Sequence, residues 1–103
     1  MKFENVTAVA KANIYFEGRV VSHTIHLADG AKKTLGLIYP GQYHFGTDGP
    51  ERMDIIAGLC RVKLDGAGEW TEQTSGSSFS VPGNAGFDIL VESGIAEYVC
   101  SFE

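Results

Sequence analysis

Apolar and polar side chains alternate in short runs along most of the chain, and turn-forming residues separate the runs. The runs cover residues 13–27, 34–41, 42–47, 52–66, 69–83, 86–93 and 96–103. No window repeats apolar residues with the period of a helix, and glycine interrupts the few candidates. Alternating runs spaced about eight to twelve residues apart are typical of an antiparallel sandwich or barrel. The pattern therefore predicts an all-β fold in a single domain over residues 1–103.

Turn signals and alternation refine this prediction. Asp-Gly pairs at positions 29–30 and 65–66 are favoured in tight hairpin turns. Within the run 52–66, Gly58 separates two strand segments. Glu51, Met53 and Ile55 should share one face of the first segment, while Arg61 should face away from its neighbours in the second.

Composition and charge narrow the class of protein. The chain has 103 residues, of which 44% are hydrophobic and 20% charged, as in ordinary folded domains. Its net charge of −5 comes without a basic stripe, so we expect no nucleic-acid polymer as a partner, although one or two cations could still bind a small phosphate. We also expect no membrane association and a cytoplasmic location, because the apolar runs are short and no secretory signal is visible. The two cysteines are expected to be reduced and buried, with a disulfide as the alternative.

Two short motifs resemble those of the cupins, small antiparallel barrels that usually hold a metal through histidine. Gly76, five further residues and Pro82 fit the second cupin motif, but Phe87 stands where that motif has its histidine. Glu51 and Gly58 have the spacing that ends the first motif. The resemblance implies a single small cupin-like β-barrel of the jelly-roll type.

The ligand set of the cupins is incomplete in this chain. Of the four usual ligand positions, Glu51 and His44 offer donor atoms, whereas Gly46 and Phe87 offer none. Because a transition-metal site normally needs three or four nitrogen, oxygen or sulfur donors, we expect no bound metal.

Five longer segments together resemble one bacterial family, the cupin-type pyrimidine/purine nucleoside phosphorylases. They are KANIYFEGRVVSHTI (11–25), KKTLGLIYPGQYHF (32–45), GPERMDIIAG (49–58), EWTEQTSGSSFSVPGNAGFDI (69–89) and EYVC (97–100). The resemblance implies phosphorolysis, in which a purine or pyrimidine nucleoside and phosphate give the free base and ribose 1-phosphate. It implies no cofactor, with phosphate as the co-substrate. The segment PGNAGF (82–87) departs from the family by carrying two glycines where bulkier residues are common.

Two residues are candidates for the catalytic step. Glu51 would accept hydrogen bonds from ribose hydroxyls or exchange protons, and the alternative is a solvated turn glutamate. His44 could donate to phosphate or to the base if its side chain points inward. Alternation alone leaves the direction of His44 open, and a partly buried structural histidine is the alternative.

Phosphate requires a cation or several hydrogen-bond donors. Arg19 and Arg61 are the candidates because a guanidinium group can donate two hydrogen bonds to phosphate oxygens at once. For each of them the alternative is a surface arginine. The remaining strand cations are interpreted as solvated turn or outer-face charges; they are Lys32, Lys33, Arg52 and Lys63.

Aromatic residues could form the surface that holds the base. Phe87 and Tyr98 are the main candidates, and Tyr43 could belong either to the core or to this pocket. A homodimer is also expected, because small barrels with polar edges often pair with a copy of themselves.

Two other functions stay open from the sequence. A non-catalytic cupin could bind a small sugar or nucleotide, and phosphate-dependent turnover would separate it from a phosphorylase. A metal-dependent cupin enzyme could use His44, Glu51 and further ligands, and loss of activity with a chelator would identify it.

Overall fold

The computed structural model describes residues 1–103 and contains eleven strands and one 3-10 turn. The strands are β1 (Thr7–Ala8), β2 (Asn13–Tyr15), β3 (Val20–His26), β4 (Lys32–Ile38), β5 (Gly41–Gly46), β6 (Glu51–Ala57), β7 (Leu59–Leu64), β8 (Thr71–Thr74), β9 (Ser78–Val81), β10 (Gly86–Val91) and β11 (Ala96–Phe102). The 3-10 turn covers Phe16–Gly18. The all-β prediction is confirmed, and no helix is long and apolar enough to cross a membrane.

The strands form two antiparallel sheets. The larger sheet has the order β1-β3-β4-β11-β6-β9, with β2 also paired to β3, and the smaller sheet has the order β5-β10-β7-β8. A cluster of buried side chains draws on both sheets, with Val20 and Ile38 from the larger sheet and Val62 and Ile89 from the smaller one. The hydrophobic core therefore lies between the two sheets.

The chain passes from one sheet to the other at short turns. The run 69–83 is divided at residues 75–77, with β8 in the smaller sheet and β9 in the larger one. Gly58 separates β6 from β7 in the same way. Its φ of 83° lies in the left-handed region, and a Cβ there would collide with the backbone of Ile95 and Ala96. This crossing therefore requires glycine.

The run 13–27 is divided between β2 and β3 by the 3-10 turn. Phe16 and Glu17 have φ values of 51° and 59°, and these left-handed residues turn the chain between β2 and β3. The two strands then pair as a hairpin, with Asn13 opposite Ser22. The Phe16 side chain extends to β5, where its ring centroid lies 4.9 Å from that of Tyr43 and 5.5 Å from that of Phe45.

Alternation predicted the faces of β6 and β7. Met53 and Ile55 are buried in the core, Glu51 is partly buried on the same side, and Arg61 is exposed on the outer face. Both cysteines are free and buried, as expected for reduced thiols.

Thr47 stabilises the Val-Pro-Gly corner, residues 81–83, at which β9 ends. Its hydroxyl Oγ1 donates a hydrogen bond of 2.6 Å to the carbonyl oxygen of Pro82 and accepts one of 3.1 Å from the backbone N–H of Ala85. The Thr47 side chain is buried, so these bonds are shielded from water. The corner leads directly into β10, which carries Phe87.

Candidate active site

A cavity of about 190 Å³ opens between the two sheets. Eight of the twelve residues that line it are hydrophobic, and the full set is Tyr15, Ser22, Thr34, Ile38, Phe45, Gly46, Glu51, Met53, Phe87, Tyr98, Cys100 and Phe102. Glu51 is the only carboxylate of the lining. The cavity is therefore a mainly apolar chamber with a single acidic group.

Strand β11 forms the floor of this cavity because alternate residues of a strand point to the same face. Tyr98, Cys100 and Phe102 all line the cavity from this strand. The neighbouring strands place Gly36 beside Tyr98 and Glu51 beside Phe102. Sequence positions far apart thus form one surface through the register of β4, β11 and β6.

The Glu51 carboxylate is held by a buried thiol. The Cys100 Sγ donates a hydrogen bond of 3.3 Å to Glu51 Oε1. Burial raises the pKa of Glu51 above its ordinary value, while the Cys100 hydrogen bond and the charge of Lys32 act in the opposite direction. Glu51 is therefore a carboxyl group whose proton affinity is increased by its apolar surroundings.

Tyr98 and Cys100, which also line the cavity, stay protonated near neutral pH. Burial raises the pKa of Tyr98 to about 12, although a hydrogen bond with Ser22 partly offsets this effect. Burial and the charge of Glu51 both raise the pKa of the Cys100 thiol. Cys100 is therefore a hydrogen-bond donor to the carboxylate, and the Tyr98 and Thr34 hydroxyls lie in the same lining.

Aromatic rings form the opposite wall. The rings of Phe45 and Phe87 are stacked with centroids 5.8 Å apart and planes inclined by 29°. Phe79 meets Phe87 edge-on at 5.4 Å and supports it from behind. Phe87 is only 2% exposed, so its ring is fixed by packing and offers a flat apolar surface to the cavity.

Comparison with known proteins identifies the family. The sequence profile of the family described as pyrimidine/purine nucleoside phosphorylase matches residues 10–102. The chain belongs to this family. A protein of Burkholderia orbicola named pyrimidine/purine nucleoside phosphorylase is 54% identical over 101 residues, which are 98% of this chain and 94% of that protein. Membership in the family predicted from the five segments is therefore confirmed.

Solved structures agree with the family assignment and extend the likeness of the fold. A protein of unknown function from an Acinetobacter species superposes with a TM-score of 0.96 at 45% identity, over 99% of this chain and 98% of that one. The oxalate decarboxylase of Bacillus subtilis, which contains Mn(II) centres, has a TM-score of 0.75 at 15% identity and covers 100% of this chain with 30% of its own. The second comparison concerns the fold alone.

Three of the seven predicted site residues line the cavity of this phosphorylase-family chain. They are Glu51, Phe87 and Tyr98. Glu51 lies at one end, beside Phe102, which is 37% exposed, whereas Phe87 and Tyr98 are deeply buried. The carboxylate therefore stands near the mouth of the cavity, and the Phe87 and Tyr98 rings lie deeper.

The two predicted residues of β5 lie outside the cavity lining. Tyr43 is 3% exposed, and its hydroxyl donates to the carbonyl oxygens of Tyr39 and Pro40 at 2.8 and 2.9 Å. His44 points outward and lies 3.1 Å from the carboxylate of Asp65. Its side chain is 55% exposed. Tyr43 is thus a core residue, and the open question about the direction of His44 is answered.

The two predicted arginines also lie away from the cavity lining. Arg61 is on the outer face of the smaller sheet, where its guanidinium lies 3.4 Å from the carboxylate of Glu92. Arg19 donates from Nε to the carbonyl oxygen of Phe16 at 3.3 Å, and its guanidinium lies 5.8 Å from the Tyr43 ring centroid. The structure does not bring either arginine next to Glu51.

Sequence reasoning missed the polar residues that accompany Glu51. Ser22, Thr34 and Cys100 line the cavity, and Lys32 lies close enough to influence the charge of Glu51. Alternation along β4 and β11 was an available signal for Thr34 and Cys100. The pairing of these strands with β3 and β6 was needed to show that the residues meet.

The residues present do not fit the metal site of a cupin. No group of three or more histidine, cysteine, aspartate or glutamate side chains is arranged to hold a metal ion. The lining of the cavity contributes only Glu51 and Cys100 as potential ligands, with Gly46 and Phe87 at two of the cupin ligand positions. His44, at another of these positions, points outward. Two donors fall short of the three or four that such a site normally uses.

Proposed function

We propose that this protein is a nucleoside phosphorylase that accepts purine and pyrimidine nucleosides. The observation that carries the proposal is the match of nearly the whole chain to a family of that name, including relatives 54% identical over 98% of the chain. We further propose that the two sheets form a cupin-type jelly-roll barrel around the cavity. The reaction replaces the bond from the ribose C1′ to the base nitrogen with a bond from C1′ to a phosphate oxygen. The base leaves with the electron pair of the broken bond and acquires a proton.

The Glu51 carboxylate is the proposed group that orients the ribose. It would accept hydrogen bonds from ribose hydroxyls, and its negative charge would stabilise the positive charge that develops on the sugar. Its surroundings support this role because a charge in a water-poor cavity acts more strongly than one in bulk water. The thiol of Cys100 would hold the carboxylate in this orientation through the bond to Oε1.

The aromatic end of the cavity is the proposed site of the base. Phe87 and Phe45 offer a flat surface, and Tyr98 offers a hydroxyl donor toward a ring that gains negative charge. Ligand sites usually have volumes of about 300–1,000 Å³. Because this cavity has about 190 Å³, it would hold one ring of a nucleoside and leave the ribose at the mouth beside Glu51.

Three further features belong to the proposal. Catalysis would need no metal, since positioning and electrostatics can supply what phosphorolysis requires and the donors in the cavity do not complete a metal site. Phosphate would be the co-substrate and no cofactor would be used. A homodimer in the cytoplasm is proposed on the grounds given by the sequence, and exposed Leu35 and Leu37 on the larger sheet are compatible with such pairing.

A base-release assay tests the proposed function. Uridine, cytidine, adenosine and inosine are each incubated with the protein, with and without phosphate, and each reaction is repeated with a chelator. The proposal expects base release that requires phosphate and is insensitive to the chelator. No release from any nucleoside would favour a non-catalytic binding protein, and loss of activity with the chelator would favour a metal-dependent enzyme.

A further inference from the structure

The basic residues of this chain differ in whether they have a partner on the protein surface. Arg52 and Arg61 are paired with Asp54 and Glu92, at 3.3 and 3.4 Å. Lys33 donates from Nζ to the Ser101 hydroxyl at 2.6 Å. These cations are already engaged on outer faces of the sheets.

Lys32 differs from these residues in place and in contacts. Its Nζ lies 4.3 Å from the centroid of the Phe102 ring, and no carboxylate lies within ion-pairing distance of it. Phe102 lines the cavity and is directly opposite Glu51 in the register of β11 and β6. The cavity side of the larger sheet thus carries a row of three residues on adjacent strands, namely Lys32 on β4, Phe102 on β11 and Glu51 on β6.

A second basic group extends this row. His26 is the direct partner of Lys32 in the pairing of β3 with β4, and directly opposite residues of an antiparallel pair point to the same face. Both side chains are exposed. The mouth of the cavity therefore has an ammonium group and an imidazole on one side and the Glu51 carboxylate on the other.

We infer that Lys32, with His26 beside it, forms the phosphate subsite at the mouth of the cavity. The inference rests on the proposed phosphorolysis, in which phosphate must approach the ribose C1′ while Glu51 holds the sugar. An ammonium group that is in no ion pair, across the mouth of the cavity from the carboxylate, supplies the charge that draws a phosphate dianion to this position. Contact with the Phe102 ring limits the motion of the lysine without neutralising it. This assignment replaces Arg19 and Arg61 as the phosphate-binding cations.

Two adjacent lysines provide a matched pair of variants. Lys32→Met and Lys33→Met remove the same charge from the same strand, but the Lys33 side chain is on the opposite face. The inference expects Lys32→Met to raise the KM for phosphate about 10- to 100-fold, as expected for the loss of a charge-assisted hydrogen bond. The KM for the nucleoside should change much less, and Lys32→Arg should restore most of the phosphate affinity. Lys33→Met should leave both constants near those of the unmodified protein.

Direct binding of inorganic phosphate separates this inference from the proposed function. Calorimetric titration with phosphate at low ionic strength is carried out on the unmodified protein and on both variants, whether or not turnover is found. Weakened binding in Lys32→Met alone supports the subsite even if no nucleoside is cleaved. Equal binding by all three proteins, or phosphate-dependent turnover with an unchanged phosphate KM in Lys32→Met, would overturn the inference while leaving phosphorolysis intact.

Discussion

Gly36 leaves the space that the Tyr98 ring occupies beside the cavity. The two residues are direct partners in the pairing of β4 with β11, and a Cβ on Gly36 would lie 2.5 Å from the Tyr98 hydroxyl oxygen and overlap the ring. Tyr98 is only 8% exposed, so its ring cannot move aside without disturbing the core. Gly36→Ala should therefore destabilise the protein by about 1–3 kcal/mol, the usual cost of overpacking a core.

Urea unfolding measures this cost, and Gly68→Ala is the control. Gly68 is exposed, and a Cβ there would meet no atom within 4 Å. This control should change stability by about 0.5 kcal/mol or less. Gly36→Ala should also raise the KM for the nucleoside, because the displaced Tyr98 ring would alter the cavity wall.

A double-mutant cycle identifies the cause of the destabilisation. In a Tyr98→Ala background the clash partner is absent, so Gly36→Ala should cost much less than it does in the unmodified protein. Equal costs in the two backgrounds would refute the close packing of Tyr98 on Gly36. Equal stability of the Gly36→Ala and Gly68→Ala proteins would refute it as well.

Three further predictions follow from the cavity and its supports. Glu51→Gln should lower kcat about 10²–10³-fold in the base-release assay. The Glu51→Gln protein should also unfold at a higher urea concentration than the unmodified protein at pH 7. Burial raises the pKa of the Glu51 carboxyl in the folded state, so the unmodified protein loses stability as pH rises from the unfolded-state pKa of 4.5 through the higher folded-state pKa. An equal gain at pH 3 would contradict this cause. Cys100→Ala removes the hydrogen bond that lowers the Glu51 pKa, so the acid limb of the plot of kcat/KM against pH should move to higher pH. Cys100→Ser keeps a donor and should move this limb less. Coincident profiles for the three proteins would argue against the contact. Thr47→Val leaves the carbonyl of Pro82 and the backbone N–H of Ala85 without their partner and should cost about 1–3 kcal/mol in urea unfolding. Thr74 is exposed, so Thr74→Val is the control and should be near neutral.

Local patterns predicted the strands and the inward residues of single strands. Period-two alternation placed Glu51, Met53 and Ile55 on one face, because side-chain direction in a strand depends only on sequence position. The sheet to which a strand belongs depends on long-range pairing, and alternation carries no information about that. The division of the run 69–83 between two sheets was missed for this reason.

The candidate site was predicted unevenly for a similar reason. Motif spacing singled out Glu51 and Phe87, aromatic character suggested Tyr98, and all three line the cavity. Tyr43 and Phe45 pack against Phe16, and His44 between them points outward. A run of alternating aromatic residues does not reveal these contacts.

The candidates for phosphate binding differ between an argument from side-chain chemistry and an argument from position in the fold. Arginine is a better bidentate partner for phosphate than lysine, and this preference favoured Arg19 and Arg61. The proposed subsite at Lys32 rests instead on position relative to Glu51, which depends on the pairing of β4, β11 and β6. Lys32 could be placed on the inward face of β4 from alternation, but its neighbours across the sheet emerge only in the folded protein.

Product analysis by ³¹P NMR tests the central claim most directly. The protein is incubated with uridine and phosphate, and the sugar phosphate and free base are quantified over time. Phosphorolysis predicts that ribose 1-phosphate and base accumulate in equal amounts while inorganic phosphate declines correspondingly. Release of base together with free ribose and unchanged phosphate would identify a hydrolase instead, and the absence of any product from uridine or from a purine nucleoside would contradict catalysis in this cavity.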